Sequence, residues 1–181
     1  MEQLLQWDQD LFVWLNSLGN NSYDTFWLYI TNQRHWIPLY LLVIVGLFYY
    51  LNWREAVKAL LILLIFIGIC NEATDFFKEY FHRLRPTQDP DLQANIRDLL
   101  HPKNFSFISG HASNSTLFVW FIIYILKKHN RIVYFILIWW LLFMYSRIYV
   151  GVHYPSDILA GIIFGGIMTI LSIGIYKKTA T

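Results

Sequence analysis

Residues 158–176 read ILAGIIFGGIMTILSIGIY and contain no charged side chain. A transmembrane helix needs roughly 20 mainly apolar residues to cross a hydrocarbon layer about 30 Å thick. Lys177 and Lys178 close the run, as expected where a helix emerges into water. The sequence therefore predicts a membrane-spanning helix at this position.

Four further stretches upstream have the same apolar character. They are residues 36–51, 56–81, 110–126 and 132–146. We therefore expect an all-α fold, a polytopic membrane helix bundle with five transmembrane helices. The membrane-embedded domain would comprise residues 36–181.

The composition agrees with a membrane protein and argues against several other classes. Hydrophobic residues make up 56% of the chain and charged residues 14%, against about a quarter charged in soluble domains. A net charge of +2 without a basic patch argues against a nucleic-acid partner. Because Cys70 is the single cysteine, we expect neither a disulfide framework nor a cysteine metal site. The acidic start MEQLLQWDQD lacks the features of a signal peptide, so insertion is expected to depend on the internal spans.

Residues 1–35 fit a membrane interface better than a membrane interior. Leucine and phenylalanine side chains occupy one helical face, whereas Glu2, Asp8 and Asp10 do not belong in lipid. A second short apolar piece, residues 26–30, follows a turn-like stretch. We expect an N-terminal amphipathic, interfacial segment, while a re-entrant piece or a sixth span stays open.

Polar residues cluster at three points next to the predicted spans, where polar side chains are costly and therefore informative. At the end of the second span, Lys78 and Arg85 would share a helical face if the helix persists until Pro86. Residues 109–111 stand at the N-terminus of the third span, where free backbone N–H groups favour an anion. The third cluster runs from Arg147 to the start of the last span.

All three clusters lie on one side of the membrane, because the spans 110–126 and 132–146 would form a hairpin. Cations, histidines, a carboxylate and a helix N-terminus then converge on one water-exposed pocket. Arginine offers paired donors and lysine a point charge, so the implied ligand is a phosphate-like oxyanion. The members of this predicted pocket are Lys78, Arg85, Ser109, Gly110, His111, Arg147, His153 and Asp157.

At these residues the chain resembles the type 2 phosphatidic acid phosphatase family, whose motifs read K-x6-R-P, P-S-G-H and S-R-x5-H-x3-D. The corresponding stretches here are residues 78–86, 108–111 and 146–157, and the resemblance extends from about Trp36 to the end of the chain. Ile108 stands where the family has proline, a change that removes no functional group.

The resemblance implies a role for each member of the pocket. His153 attacks phosphorus and forms a phosphohistidine, while Asp157 holds its imidazole ring. His111 protonates the leaving oxygen and later activates the hydrolytic water. The phosphate oxygens would be held by Lys78, Arg85, Ser109, Gly110 and Arg147. Neither a metal nor another cofactor is expected.

The expected protein is an integral-membrane lipid phosphate phosphatase that acts on a phosphomonoester or a pyrophosphate. By analogy within the family, undecaprenyl pyrophosphate is the favoured substrate. Phosphatidylglycerophosphate, phosphatidic acid and lipid A phosphates stay open, as does phosphate transfer to another lipid hydroxyl. A lipid head-group binding or transport protein would use the same pocket without turnover. The expected partners are the substrate and membrane lipids, with no obligatory protein partner.

For the other polar and glycine residues we expect structural or solvent-exposed positions and no catalytic role. Glu72 and Asp75 are expected to be structural, for example by pairing with Lys78, and Gly161 with Gly165 predicts close helix packing. The cationic and histidine side chains of the polar loop are expected to contact water in preference to substrate. They are His82, Arg83, Arg97, His101 and Lys103.

Counts of lysine and arginine predict the orientation of a multi-pass protein in the cell membrane. The side of the membrane away from the three clusters carries seven lysine and arginine residues, and the side with the clusters also carries seven. Three of the latter belong to the predicted pocket and are explained by its chemistry, which leaves seven against four. We therefore expect the pocket to face the periplasm or the cell exterior.

Overall fold

The computed structural model describes residues 2–92 and 96–179, and within them all regular secondary structure is helical. Residues 93–95 of the predicted polar connection and the two ends of the chain lie outside the described residues. The predicted all-α helix bundle is confirmed. Its helices are α1 (Glu2–Ser17), α2 (Asp24–Thr31), α3 (Ile37–Tyr50), α4 (Trp53–Phe81), α5 (Gly110–Leu126), α6 (Ile136–Tyr149) and α7 (Pro155–Lys178).

Three of the predicted spans correspond to helical segments long and apolar enough to cross a membrane. They are α4, α6 and α7, which lie within the ranges Trp53–Gln88, Arg131–Tyr149 and Pro155–Lys178. The other two are shorter, with 17 residues in α5 and 14 in α3. Large apolar side chains such as Leu42 and Ile170 project outward from the bundle, as expected of helices that face lipid.

Helix α4 ends at Phe81, where the predicted span ends, and does not continue to Pro86. His82 adopts a left-handed backbone conformation with φ 48°, and its N–H donates to the Lys78 carbonyl at 3.1 Å, which closes the helix at Phe81. Pro86 begins a separate 3-10 turn. The condition for a shared helical face of Lys78 and Arg85, a helix that persists until Pro86, is therefore not met, and Arg85 belongs to the loop that follows.

Helix α6 ends later than predicted. A 3-10 turn, Arg131–Phe135, precedes it, and the α-helix continues to Tyr149 instead of stopping at Ser146. Arg147 therefore lies within the last helical turn, where its side chain is held by the bundle.

Helix α5 forms the centre of the bundle. Its closest neighbour is α7, where a Cβ on Gly161 would come within 2.7 Å of the Ala112 Cβ. A Cβ on Gly165 would overlap the carbonyl oxygen of Ser113. The predicted close packing at Gly161 and Gly165 is thus confirmed, and it fixes the N-termini of α5 and α7 side by side. The α5 side chains that are fully enclosed include Leu117, Val119, Phe121 and Ile122.

Helices α1 and α2 pack on the end of the bundle that carries the three polar clusters. Phe12 is fully buried, and its ring meets that of Tyr154 edge to face at 5.5 Å. The Asn16 amide donates to the carbonyl oxygens of Ile148 at 2.9 Å and Tyr149 at 3.0 Å. These contacts tie α1 to the start of α7 and the end of α6. The interfacial placement of residues 1–35, the alternative of a re-entrant piece or a sixth span, and the division of the chain at residue 35 stay predictions.

Candidate active site

The three polar clusters meet at one end of the bundle. Lys78 lies in the last turn of α4, Arg147 in the last turn of α6 and Asp157 in the first turn of α7. The Ser109 N–H donates to the Asp157 carbonyl at 3.2 Å, and a Cβ placed on Gly110 would lie 3.8 Å from the Lys78 Nζ. The structure therefore brings the predicted members together from four helices.

His153 and Asp157 form a buried pair. The two side chains are 2% and 0% exposed, and the His153 Nδ1 lies 3.4 Å from the Asp157 Oδ2. The same carboxylate oxygen accepts the Tyr154 N–H at 3.0 Å, so its position is fixed by the backbone of the turn. This arrangement orients the imidazole ring.

Arg85 indicates which imidazole nitrogen carries the proton. Its Nη1 lies 3.3 Å from the His153 Nε2, and a guanidinium group can only donate. The Nε2 is therefore the unprotonated nitrogen, and Nδ1 donates to Asp157. Arg85 itself is held by donation from Nη1 to the Val152 carbonyl at 2.7 Å and from Nε to the Asn104 carbonyl at 2.8 Å.

The surroundings of His153 favour its neutral form. Burial lowers the pKa of His153 well below the ordinary histidine value, and the positive charges of Arg85, Arg147 and Lys78 lower it further. A neutral imidazole with a free Nε2 and a carboxylate on Nδ1 is suited to nucleophilic attack.

The cations around this pair are buried but differ in how they are held. Lys78 pairs with the mainly exposed Asp75 at 2.6 Å, which confirms the predicted structural role of Asp75. The Nη1 of Arg147 donates to the Thr31 hydroxyl in α2. The Nε of Arg147 is buried and has no hydrogen-bond partner among the described residues. A free donor in a buried guanidinium is suited to bind an oxyanion.

Ser109 and His111 occupy the start of α5. The Ser109 side chain caps the helix by accepting the Ala112 N–H at 3.3 Å. The His111 ring stacks on Phe143 with its centroid at 5.4 Å. Among residues 2–92 and 96–179, no group of three His, Cys, Asp or Glu side chains is placed to hold a metal ion.

Two cavities of different character meet at His111. The first, here called the apolar cavity, has a volume of about 440 Å³ and lies between α3, α4, α5 and α6. The second, here called the polar pocket, has a volume of about 450 Å³. Gln33 and His111 contribute to both. The polar pocket is lined by Leu28, Thr31, Asn32, Gln33, Arg34, Leu100, His111 and Arg147.

Arg83 is a site residue that sequence reasoning missed. Its Nη1 donates to the Asp157 Oδ1 at 2.7 Å, and its Nη2 to the Asp8 Oδ2 at 2.6 Å. Asp8 also accepts the Ser156 N–H at 2.9 Å, which ties α1 to the start of α7. The expectation that Arg83 contacts water is therefore wrong. The partners of Arg83 lie about 75 residues away along the chain, so no spacing pattern in the sequence indicates these ion pairs. The only signal was the position of Asp8, an acidic residue next to the apolar face of α1.

The remaining loop residues divide into two groups. Arg97 donates to the Asp24 Oδ1 at 2.9 Å and lies over the Tyr149 ring, so the expectation of solvation is wrong here too. The side chains of His82, His101 and Lys103 are exposed, as predicted.

Comparison with known proteins gives consistent results at the levels of family, sequence and fold. The sequence model of the PAP2 superfamily matches residues 55–180. The chain is 31% identical over 170 residues to the lipid A 4'-phosphatase of Porphyromonas gingivalis, covering 91% of this chain and 71% of that protein. It is 33% identical over 150 residues to phosphatidylglycerophosphatase B of Bacillus subtilis, covering 78% and 68%.

A solved structure has the same fold. It is the crystal structure of the transmembrane PAP2 type phosphatidylglycerolphosphate phosphatase from Bacillus subtilis, with a TM-score of 0.76 at 24% sequence identity. The match covers 99% of this chain and 89% of that one.

Proposed function

The chain belongs to the PAP2 superfamily and is a multi-pass membrane phosphatase acting on lipid phosphates, and from this premise we propose that it removes a terminal phosphate through a phosphohistidine at His153. The observation that carries this proposal is the buried His153, whose Nδ1 faces Asp157 and whose unprotonated Nε2 faces Arg85. Both of its ring nitrogens have a partner, and the side chain is only 2% exposed.

In the proposed first step, the His153 Nε2 attacks phosphorus and forms the P–N bond while the bond to the leaving oxygen breaks. His111 donates a proton to that oxygen. In the second step, His111 takes a proton from water, the water oxygen attacks the phosphohistidine, and inorganic phosphate leaves with His153 restored. The pKa of His153, lowered by burial, keeps the nucleophile unprotonated near neutral pH.

The proposed oxyanion site consists of the cations and the helix start that surround His153. Arg85 lies against Nε2, and the free Nε of Arg147 offers a donor that no described residue uses. The Lys78 Nζ lies close to Gly110 at the start of α5, which the Ser109 side chain caps, and the Gly110 N–H is a further candidate donor. Fixed donors of this kind stabilise the charge that develops on the three equatorial oxygens.

The two cavities support a leaving group that is both polar and lipidic. His111, the proposed acid for the leaving oxygen, lies where the apolar cavity and the polar pocket meet. The apolar cavity suits an acyl or prenyl chain, and the polar pocket suits a hydroxylated head group. The relatives' names are consistent with such substrates, namely lipid A and phosphatidylglycerophosphate. We therefore place these phosphomonoesters ahead of undecaprenyl pyrophosphate, whose leaving group has a phosphate and no further head group.

A substrate panel tests the proposal. Purified protein in mixed micelles is assayed for phosphate release from lipid A, phosphatidylglycerophosphate, phosphatidic acid and undecaprenyl pyrophosphate, with and without an acceptor lipid. We expect kcat/KM to be at least about tenfold higher for one of the first two than for the pyrophosphate. Phosphate found on the acceptor lipid instead of in solution would favour a transferase. Binding of all four lipids without release of phosphate would contradict an enzyme.

We further propose that the site faces the periplasm or the cell exterior. The support is the excess of seven cations over four on the side of the α3–α4 and α5–α6 connections. Two exposed histidines, His101 near the site and His129 at the other end, provide matched positions for single cysteines in a Cys70→Ser background. An impermeant maleimide should label intact cells at His101→Cys and not at His129→Cys. The reverse pattern would contradict the orientation.

A further inference from the structure

The polar pocket contains one cation that the proposed mechanism does not use. Arg34 lines this pocket together with His111 and Arg147. Its side chain is exposed, and no carboxylate among the described residues pairs with it. By contrast, Arg83 and Arg97 at the same end of the protein are both paired with aspartates.

The backbone that carries Arg34 is fixed in place. The Arg34 N–H donates to the Asn32 side chain at 3.0 Å, which starts the 3-10 turn Gln33–Trp36. The Trp36 indole N–H donates to the Ile30 carbonyl at 2.8 Å, and its ring packs edge to face on Trp139 at 5.6 Å. The turn is therefore anchored in the bundle on one side and presents Arg34 to the pocket on the other.

The position of this pocket determines which part of a substrate Arg34 would meet. His111 protonates the leaving oxygen in the proposed mechanism, so whatever extends from His111 into the polar pocket belongs to the leaving group. An unpaired arginine there has the geometry and charge to bind a phosphodiester or a phosphate. Lipid phosphates differ in the charge of their leaving group. The leaving group of phosphatidic acid is neutral diacylglycerol, whereas that of phosphatidylglycerophosphate is anionic phosphatidylglycerol.

We propose that Arg34 is a specificity residue that binds an anionic group on the leaving-group side, and so favours phosphatidylglycerophosphate, whose leaving group is anionic, over phosphatidic acid, whose leaving group is neutral. This inference rests on the proposed function, since it takes His111 as the acid for the leaving oxygen. Asn32 and Gln33, which line the same pocket, would bind the single glycerol hydroxyl between the two phosphates of phosphatidylglycerophosphate.

The test compares two lipids with identical acyl chains, phosphatidylglycerophosphate and phosphatidic acid, in wild type and in Arg34→Gln. The substitution should raise KM for phosphatidylglycerophosphate about tenfold, as expected for loss of a charge-assisted hydrogen bond, and change kcat/KM for phosphatidic acid less than about twofold. Arg34→Lys should retain part of the preference. Lys103→Gln removes an exposed cation at the same end and controls for general attraction of anionic micelles.

The outcomes separate this inference from the proposed function. Hydrolysis of both lipids by wild type, with equal losses in Arg34→Gln or no loss at all, would overturn the role of Arg34 and leave the phosphatase assignment standing. The same would follow if Lys103→Gln reproduced the effect. Hydrolysis of lipid A by a wild-type protein that hydrolyses neither of these two lipids would also overturn the role of Arg34. A folded wild-type protein that releases phosphate from none of the four panel lipids would overturn the proposed function, and the role of Arg34 with it.

Discussion

Replacement of Arg83 by glutamine should destabilise the protein through the carboxylate that it leaves behind. The Asp157 side chain is fully enclosed, and Arg83 is its charge partner at 2.7 Å. Removing one member of a buried ion pair costs about 3–5 kcal/mol, because the other charge stays buried without compensation. Since the Arg83 side chain is itself 20% exposed, we expect the lower value, about 3 kcal/mol. At about 2–4 °C per kcal/mol for a chain of this size, the thermal midpoint in detergent should fall by about 6–12 °C.

A double-mutant cycle tests the physical reason for this loss. If the cost comes from the uncompensated carboxylate, adding Asp157→Asn to Arg83→Gln should recover part of the lost midpoint, although the protein stays inactive. The matched control is Lys103→Gln, which removes an exposed loop cation and should leave the midpoint unchanged. Losses that simply add in the double variant, or an unchanged midpoint in Arg83→Gln alone, would refute the reasoning.

Three further predictions follow from the site and the helix packing. Because burial lowers the pKa of His153, its imidazole loses its proton at lower pH than an ordinary histidine does. The acid limb of the pH profile of kcat/KM should therefore lie below pH 6.5 after correction for substrate titration. A limb above that pH that disappears with His153 would contradict His153 as the nucleophile. Orthovanadate, which can adopt a five-coordinate geometry, should inhibit, and EDTA should not; activity lost in EDTA and restored by a divalent ion would contradict the proposed mechanism. In Gly165→Ala the added Cβ would overlap the Ser113 carbonyl oxygen, so the free energy of unfolding should fall by about 1–3 kcal/mol or more. In the control Gly166→Ala the Cβ meets open space, so stability should be unchanged or slightly higher. Equal thermal midpoints for the two variants would show that the contact between α5 and α7 is not tight.

The meeting of the three clusters was predictable because it follows from the connectivity of the spans. Two helices in a hairpin return the chain to the side where it started, so the residues at the start of α5 and the end of α6 must share a level. Hydrophobic run length and charge position are enough for this inference. The order of the spans thus predicts which end of the bundle holds a residue, but not which residues bond to each other.

The contacts of Arg83 and the end of α4 show where sequence reasoning stops. Arg83 pairs with Asp8, and nothing in either local sequence indicates the other. Helix α4 ends at Phe81 because His82 takes a left-handed backbone conformation. A glycine at that position would have indicated such a helix end in the sequence, whereas a histidine does not. Pro86 therefore indicates the end of the helix only to within a few residues.

The role of residues 1–35 in the site was also beyond the sequence. Their amphipathic pattern indicates an interface and gives no partner. In the structure Asp8 supports the Asp157 network, Thr31 accepts from Arg147, and Gln33 lines both cavities. Tertiary packing decides these contacts, and local periodicity carries no information about them.

The most direct test of the account is to trap the phosphoenzyme. Wild-type protein is mixed with phosphatidylglycerophosphate labelled at its terminal phosphate, quenched in base within one turnover, and digested for mass spectrometry. We expect acid-labile, base-stable phosphate on His153, absent from His153→Ala protein that keeps its thermal midpoint. Phosphate on another residue, or full phosphate release by His153→Ala, would contradict the central claim.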